Sequence, residues 1–248
     1  MNDQNPTLAW RSAPSGDSCL MLEFATVLSL QANRNAAAAA AILNEAWGQG
    51  ELQGVMDIVP GMVTVGLHYW PHRVLMGHDD PSPYAALDRQ VAVLLQRRRP
   101  TDTATARLIE IPVCYGGEYG PDLELVADTC GVSAQELVEI HTGQLLDILM
   151  LGFAPGLAHI GILDKRLSPP RLSTPRTLVK QGSVGLANRQ SVVYPVDSPG
   201  GWSLIGRTPL KMFNAQHVPP CLLNMGDKVQ FVAIDAAAFE AIHAQEHP

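Results

Sequence analysis

The second half of the chain is broken into short apolar runs, and this pattern limits the possible folds more than any other feature. Beyond Gly143 the runs are separated by turns rich in glycine and proline; they read DILMLGF, SVGLA, SVVYPV, WSLIG, LLNMG and KVQFVAI. Apolar runs of this length between turn residues are typical of strands rather than helices. Many short strands at such spacing predict a closed or nearly closed β-barrel, which we place at residues 107–248.

The residues before the barrel follow a different order of elements. The patterns predict strands at 19–24, 55–59 and 62–69, and helices at 33–47 and from Pro83 onward. A further alternating strand at 107–113 completes the order β-α-β-β-α-β, which is that of a ferredoxin-like unit. The first dozen residues are predicted to form a loose tail. We therefore predict an α+β protein with a ferredoxin-like domain at 1–106 and a β-barrel domain at 107–248.

Three helices are predicted to accompany the barrel. Two short ones cover 121–130 and 133–141, and a terminal one covers 236–245. In the second, Ser133 is followed three residues later by Glu136, which is the spacing of a capping box.

Composition excludes several classes of protein. The chain has 248 residues with 46% hydrophobic side chains and a net charge of −7, so a disordered chain is excluded and a nucleic-acid binder is disfavoured. The N-terminus lacks the pattern of a secretory signal, and the most apolar stretch, at 145–163, is interrupted by Asp147, Pro155 and His159. The four cysteines show no metal-binding spacing, so we expect a cytoplasmic protein without a metal site.

The charge is unevenly distributed along the chain. The segment from Gly152 to Pro209 contains seven basic and two acidic residues, a net +5, which leaves −12 for the rest. The same segment is rich in glycine and proline, which fix turns and permit close approach of a ligand. Arginine forks held by such turns suit a carboxylate or a phosphate. The alternative, a solvated basic face, is equally compatible with the sequence.

A succession of motifs carries a family resemblance. PVCYGGEYGPDLELVA (112–127) is followed by MLGFAPG (150–156), PPRLSTPR (169–176), QGSVGLA (181–187) and YPVDSPGGWSLIGRTP (194–209). The succession resembles the B-subunit family of bacterial 5-oxoprolinase. That family includes the histidine-kinase inhibitor KipI, is also known as allophanate hydrolase subunit 1, and resembles the carboxyltransferase subdomains C and D of urea carboxylase.

The resemblance carries expectations about fold, partners and cofactor. It implies a ferredoxin-like unit followed by a cyclophilin-like barrel, and a C-subunit partner of similar barrel architecture. With the A- and C-subunits, members of the family open 5-oxoproline to glutamate using ATP, so the chain alone is expected to be inactive and ATP to be bound by the complex. The chain departs from the family where two aromatic residues are usual in the segment 152–160, and at Lys180 and Gln181.

Opening a lactam at the expense of ATP requires groups that neutralise an anion and groups that move a proton. As catalytic candidates we select Glu118 and His141 for proton transfer, and Lys180 and Arg207 for charge stabilisation. As substrate- or anion-binding candidates we select Tyr115, Gly117, Asp122, Arg171, Arg176, Gly182, Ser183 and Gln190.

Several candidates also have a structural interpretation. Asp122 is favoured as a helix cap, His141 equally suits a helix dipole, and Arg207 equally suits a turn. Ser183 is favoured as a buried turn hydroxyl and Trp202 as core or interface.

Two other functions remain open at this point. One is a KipI-like inhibitor that docks on a histidine kinase. The other is a component of a urea-carboxylase or allophanate-type carboxyltransferase, which would need biotin on another chain because no Met-Lys-Met acceptor occurs in this one.

Overall fold

The chain forms two compact units, Met1–Thr105 and Ala106–Pro248, in a computed structural model that describes residues 8–97 and 107–246. The predicted domain boundary at residue 106 lies outside the described residues. Each unit has its own buried apolar cluster, so each is described separately.

The N-terminal unit is an antiparallel sheet with two helices. In the described part of the unit the sheet has the order β1-β2-β4-β3. The elements are β1 (Arg11–Pro14), β2 (Cys19–Glu23), α1 (Leu30–Gly48), β3 (Val55–Pro60), β4 (Thr64–Tyr69), a short 3-10 turn (Pro71–Arg73) and α2 (Pro83–Arg97).

Capping and apolar periodicity explain the two helices of this unit. The side chain of Ser29 accepts the backbone N–H of Ala32 and so starts α1. The alanine-rich face of α1 packs against β3 and β4, while Leu87, Val91 and Leu94 form the buried face of α2.

The ferredoxin-like arrangement is not confirmed. The strand that would complete it runs instead from Leu108 to Tyr115 and belongs to the barrel. The outer edge of the sheet is occupied by β1, which pairs antiparallel with β2. The expectation of a loose tail through the first dozen residues is therefore wrong at Arg11 and Ser12, and residues 1–7 lie outside the description.

The C-terminal unit is built on a closed barrel. Seven strands follow the order β10-β7-β6-β13-β5-β12-β9, and β9 pairs back with β10. They are β5 (Leu108–Tyr115), β6 (Leu146–Leu151), β7 (Ala158–Gly161), β9 (Ser183–Ala187), β10 (Gln190–Val193), β12 (Ser203–Arg207) and β13 (Lys228–Ile234). This confirms the predicted barrel, and β9 and β13 coincide with the runs SVGLA and KVQFVAI.

A two-stranded ribbon and three helices complete the unit in its described part. The ribbon pairs β8 (Arg176–Val179) with β11 (Ser198–Gly200). The helices are α3 (Leu123–Cys130), α4 (Ala134–Thr142) and α5 (Ala236–Glu246). The Ser133 hydroxyl accepts the N–H of Glu136 at the start of α4, as the predicted capping box requires.

One predicted strand is wrong. The run LLNMG (222–226) lies in a loop, where Leu222 donates its N–H to the carbonyl of Met212 and Asn224 donates to Asp227. The side chain of Leu223 is fully buried in the core of the unit. The run is therefore apolar because its loop packs into the core, and not because it forms a strand. Among the described residues, no helix has the length and apolar character needed to cross a membrane.

Candidate functional site

Five of the predicted site residues line one cavity of the C-terminal unit. The cavity has a volume of about 240 Å³, and the five residues are Glu118, Arg176, Lys180, Ser183 and Arg207. We call it the cationic pocket, because three of these side chains are basic and one is acidic.

Strand pairing and one glycine bring these residues together. Arg207 at the end of β12 is paired in register with Ser183 at the start of β9. Between β8 and β9, Gly182 has a φ of +81°, and a Cβ atom there would lie 2.3 Å from the carbonyl oxygen of Thr208. Only glycine fits this conformation and this close approach, so Gly182 shapes the turn that carries Lys180. Gly182, which is selected from the sequence as an anion-binding candidate, therefore contributes to the site through its backbone conformation.

Arg207 holds that same turn. Its Nε donates to the carbonyl of Gln181 at 2.8 Å, which agrees with the structural interpretation made from the sequence. Its guanidinium carbon lies 5.9 Å from the centroid of the Phe239 ring. Within the described part of the chain Arg207 has no ion pair with an acid, so its charge faces the cavity without being neutralised.

Asp122 fixes Arg176 rather than capping a helix. It occupies the N-cap position of α3, but its side chain makes no capping bond, so the favoured capping interpretation is wrong. One carboxylate oxygen accepts from the Arg176 guanidinium at 2.7 Å, and the other accepts the N–H of Leu204 at 2.6 Å. Because Asp122 is buried and Arg176 is only partly exposed, this pair orients the guanidinium at the cavity wall.

Glu118 and Lys180 are the two exposed charges of the cationic pocket. Neither forms an ion pair with another described residue, so both side chains are available to a ligand. Arg176 is already paired with Asp122, so among the described residues the unpaired charges of the pocket are those of Lys180, Arg207 and Glu118. Two unpaired cations and one carboxylate suit a single phosphoryl or carboxylate group with a water molecule beside it.

His141 and Tyr115 lie in the barrel interior, away from the cationic pocket. The Nδ1 atom of His141 is 2.7 Å from the Tyr115 hydroxyl, and its Nε2 atom is 3.1 Å from the hydroxyl of Ser191. Ser191 donates to the carbonyl of Gly185, so it accepts from Nε2 and Tyr115 donates to Nδ1. His141 also stacks on Phe231, with 4.2 Å between the ring centroids.

Burial sets the protonation of this network. It lowers the pKa of His141 to about 3 and raises the pKa of Tyr115 well above its usual range. A neutral His141 brings no charge to the end of α4, which removes the helix-dipole interpretation. The geometry gives the pair a role in the barrel core.

Several backbone N–H groups of the glycine-rich loop 116–120 are already hydrogen-bonded within the protein. Gly116 donates its N–H to the carbonyl of Ile205, while Tyr119 and Gly120 both donate to the carbonyl of Gly116. A Cβ atom at Gly120 would lie 2.0 Å from the Ile205 carbonyl oxygen, so the loop lies directly on β12. Gly117 is exposed at a φ of +54° and does not line the cationic pocket.

Arg171 belongs to a second cavity of the same unit, and Gln190 lies next to it. This cavity has a volume of about 450 Å³, and we call it the aromatic pocket. Its lining includes Phe153, His159, Tyr194 and Trp202, and Gln190 hydrogen-bonds to His159. Of these, His159, Tyr194 and Phe153 are not predicted from the sequence. The sequence feature that could have indicated this cavity is the pair Gly200-Gly201 before Trp202, because two residues without side chains leave space beside the indole ring.

Metal ligands do not gather in either cavity. Across residues 8–97 and 107–246, no group of three or more His, Cys, Asp or Glu side chains is arranged to hold an ion.

Comparisons with known proteins agree on one family. The family model for the carboxyltransferase domain, subdomain C and D, matches residues 10–223. The 5-oxoprolinase B-subunit of Bacillus subtilis (strain 168) is 38% identical over 237 residues, covering 95% of this chain and 97% of that protein. The protein of the same name from Escherichia coli O157:H7 is 38% identical over 216 residues, covering 86% and 94%.

A solved structure supports the fold alone. The urea amidolyase of K. lactis is 16% identical and superposes with a TM-score of 0.74, covering 97% of this chain and 16% of that one. At this level of identity the similarity concerns the arrangement of the elements and not the activity.

Proposed function

Because this chain belongs to the family of carboxyltransferase subdomains C and D, we propose that it is the B-subunit of an ATP-dependent 5-oxoprolinase. Two relatives of that name match it over nearly their whole lengths, which supports this choice within the family. The observation that carries the proposal is the cationic pocket, which is lined by Arg176, Lys180 and Arg207 together with one carboxylate, that of Glu118.

The proposed reaction opens the lactam of 5-oxoproline with water to give glutamate, while ATP becomes ADP and phosphate. ATP supplies a phosphoryl group that makes the lactam carbon a better electrophile. The residues of the cationic pocket fit one such group: the unpaired charges of Arg207 and Lys180 neutralise its negative charge, and Arg176, which Asp122 holds in place, offers further donors. Glu118 is the proposed acceptor of a proton from water. The sequence contains no GxxxxGK[ST] loop, so we assign the nucleotide itself to the complex.

The proposed partners are the C- and A-subunits of the same complex. Leu178, in the wall of the cationic pocket, is 59% exposed. An exposed apolar side chain beside a charged cavity suits coverage by another chain, which would also exclude water from the reaction. We therefore expect the chain alone to be inactive.

The test is ATP hydrolysis by the reconstituted complex. The chain is combined with its A- and C-subunits, and release of phosphate is measured with and without 5-oxoproline. We expect 5-oxoproline to stimulate ATP hydrolysis, and Lys180→Gln to lower the stimulated rate at least tenfold. Lys165→Gln is the matched control, because it removes an exposed charge of the same segment outside both cavities.

Three outcomes would contradict the proposal. A correctly assembled complex that hydrolyses ATP without any response to 5-oxoproline is not a 5-oxoprolinase. Transfer of carboxylate from a biotinylated partner would instead favour the carboxyltransferase alternative, and inhibition of a histidine kinase by the chain alone would favour the KipI-like one.

A further inference from the structure

The aromatic pocket differs in chemistry from the cationic pocket. Its walls are mainly apolar, and Arg171 carries its one full charge. The Arg171 guanidinium carbon lies 4.8 Å from the centroid of the Trp202 ring, so the fork is stacked on a nearly buried indole. No acidic side chain lines the pocket, and Arg171 has no ion pair with any described residue. A stacked, unneutralised guanidinium suits a carboxylate bound by both arms of the fork.

His159 adds a hydrogen-bonding group of defined character. It is 8% exposed, and its Nδ1 atom lies 3.3 Å from the Gln190 side-chain oxygen. Because that oxygen can only accept, Nδ1 carries the proton, and Nε2 of the neutral ring is left as an acceptor. Burial, and to a smaller degree the charge of Arg171, lowers the pKa of His159, which keeps the ring neutral near pH 7. His159 therefore suits a ligand that offers an N–H group.

Aromatic rings and a glycine form part of the wall of the pocket. Trp202 and His159 meet edge to face with 5.7 Å between their centroids. A Cβ atom at Gly200 would lie 2.1 Å from the Tyr194 hydroxyl oxygen, so glycine is required for this wall. At the rim, Phe153 has a φ of 77° and is 75% exposed. A bulky residue held at positive φ with its ring in solvent is strained without any gain from packing in this chain.

We propose that the aromatic pocket binds a small cyclic amide that carries a carboxylate. Arg171 binds the carboxylate, His159 accepts the ring N–H, and Trp202 contacts the face of the ring. The identity of the amide rests on the proposed function, under which it is 5-oxoproline.

The test is binding to the full chain, followed through the indole N–H signals of its tryptophans in ¹⁵N NMR spectra. The chain has four tryptophans, and Trp202→Phe identifies the signal of Trp202. The probes are 5-oxoproline and 2-pyrrolidone, which has the same lactam ring without the carboxylate. We expect 5-oxoproline to shift the Trp202 signal and to bind at least tenfold more tightly than 2-pyrrolidone.

Variants of Arg171 distinguish a loss of carboxylate recognition from a general loss of folding. Arg171→Gln is expected to weaken 5-oxoproline at least tenfold while changing the affinity for 2-pyrrolidone less than twofold. Arg171→Lys keeps the charge without the fork and should lie between the two. Lys165→Gln should leave both affinities unchanged. An unmoved Trp202 signal, or an Arg171→Gln variant that keeps the preference for the carboxylate, would overturn the assignment.

The result is distinguishable from failure of the proposed function. If 5-oxoproline shifts Trp202 but does not stimulate ATP hydrolysis in the complex, the pocket assignment stands and the 5-oxoprolinase proposal fails. If ATP hydrolysis responds to 5-oxoproline while Trp202 is unmoved, the proposed function stands and the substrate site lies elsewhere.

Discussion

At the scale of single residues, the predicted site separates into groups that face a cavity and groups that hold the barrel together. Glu118 and Lys180 face solvent in the cationic pocket, whereas His141 is fully buried between Tyr115, Ser191 and Phe231. The sequence singles out both kinds because both are residue types that can transfer a proton or stabilise a charge. Burial decides between them, and burial depends on strand pairing that the local sequence does not specify.

The buried His141 predicts how stability depends on pH. Its pKa is about 3 in the folded chain and about 6.5 when unfolded, so between these values the unfolded chain binds the extra proton. Stability from this group is complete above pH 6.5 and is lost as the pH falls toward 3, by up to about 1.4 kcal/mol per pH unit. We expect His141→Gln to be less stable at pH 7 by about 1–3 kcal/mol, yet to lose less stability between pH 6.5 and 4.

Urea unfolding at a series of pH values measures both effects. His217→Gln is the matched control, because His217 is an exposed histidine of the same unit and its loss should leave the pH dependence intact. Parallel curves for the wild type and His141→Gln would show that His141 is not held neutral by the fold.

At the scale of elements, the predictions succeed where a segment is decided by its own pattern. The start of α2 at Pro83, the cap of α4 at Ser133 and the strand β13 all follow from local residues. The sequence does not predict the ribbon of β8 and β11. The residues of β11 are Ser-Pro-Gly, which favour a turn, and β8 is half exposed, so neither has the pattern of a buried strand. Only pairing across the fold makes these segments strands.

The candidate site shows the same division. Because charge is visible in the sequence, an excess of basic residues singles out the segment 152–209, which contains most of the residues that line the two pockets. This excess did not reveal His159 or Tyr194, since each lies among apolar strand residues and reads as core. Tyr194 lies directly beside Gly200, where a Cβ atom would clash with the tyrosine hydroxyl, and this contact depends on packing across the fold.

Gly182, in the turn between β8 and β9, can be compared with Gly117 in the loop 116–120. Gly182 and Gly117 both have positive φ, at +81° and +54°, but only Gly182 lacks room for a Cβ atom. Gly117→Ala should cost about 1–2 kcal/mol from the backbone conformation alone. Gly182→Ala adds the clash with the Thr208 carbonyl, so we expect a larger loss, of about 3 kcal/mol or more, together with weaker function of the cationic pocket.

Thermal and urea unfolding of the two variants gives the comparison directly. Equal losses of stability would mean that the turn relaxes around a methyl group, and that Gly182 is not required for close approach to β12. A Gly182→Ala variant that folds with full stimulated ATP hydrolysis would contradict the role assigned to this turn.

At the scale of the whole molecule, each unit has its own sheet and its own buried clusters among residues 8–97 and 107–246. All seven barrel strands come from residues after Arg107, and the buried clusters of the barrel include no residue of the N-terminal unit. The net charge of −7 likewise resolves into a basic segment within the barrel unit and an acidic remainder. Both pockets are lined by residues of the barrel unit only. The barrel unit, separated from the rest of the chain, is therefore expected to keep both its fold and its two pockets.

We predict that a fragment of residues 107–248 folds on its own and keeps the aromatic pocket. A barrel closed by its own strands leaves no open sheet edge, and a domain of this length buries enough apolar surface to be stable. Circular dichroism should show β structure that is lost in one cooperative thermal transition, and 5-oxoproline should shift the Trp202 indole signal as it does in the full chain.

The strand β13 provides the control for this prediction. It lies between β5 and β6 and is the parallel partner of β5 along its whole length, so a fragment of residues 107–226 cannot close the barrel. The shorter fragment should therefore lack a cooperative transition. If both fragments are unfolded, closure within the unit is not sufficient, because the barrel then depends on contacts with other parts of the protein. If both fold, the parallel pairing of β5 with β13 is not what closes the sheet.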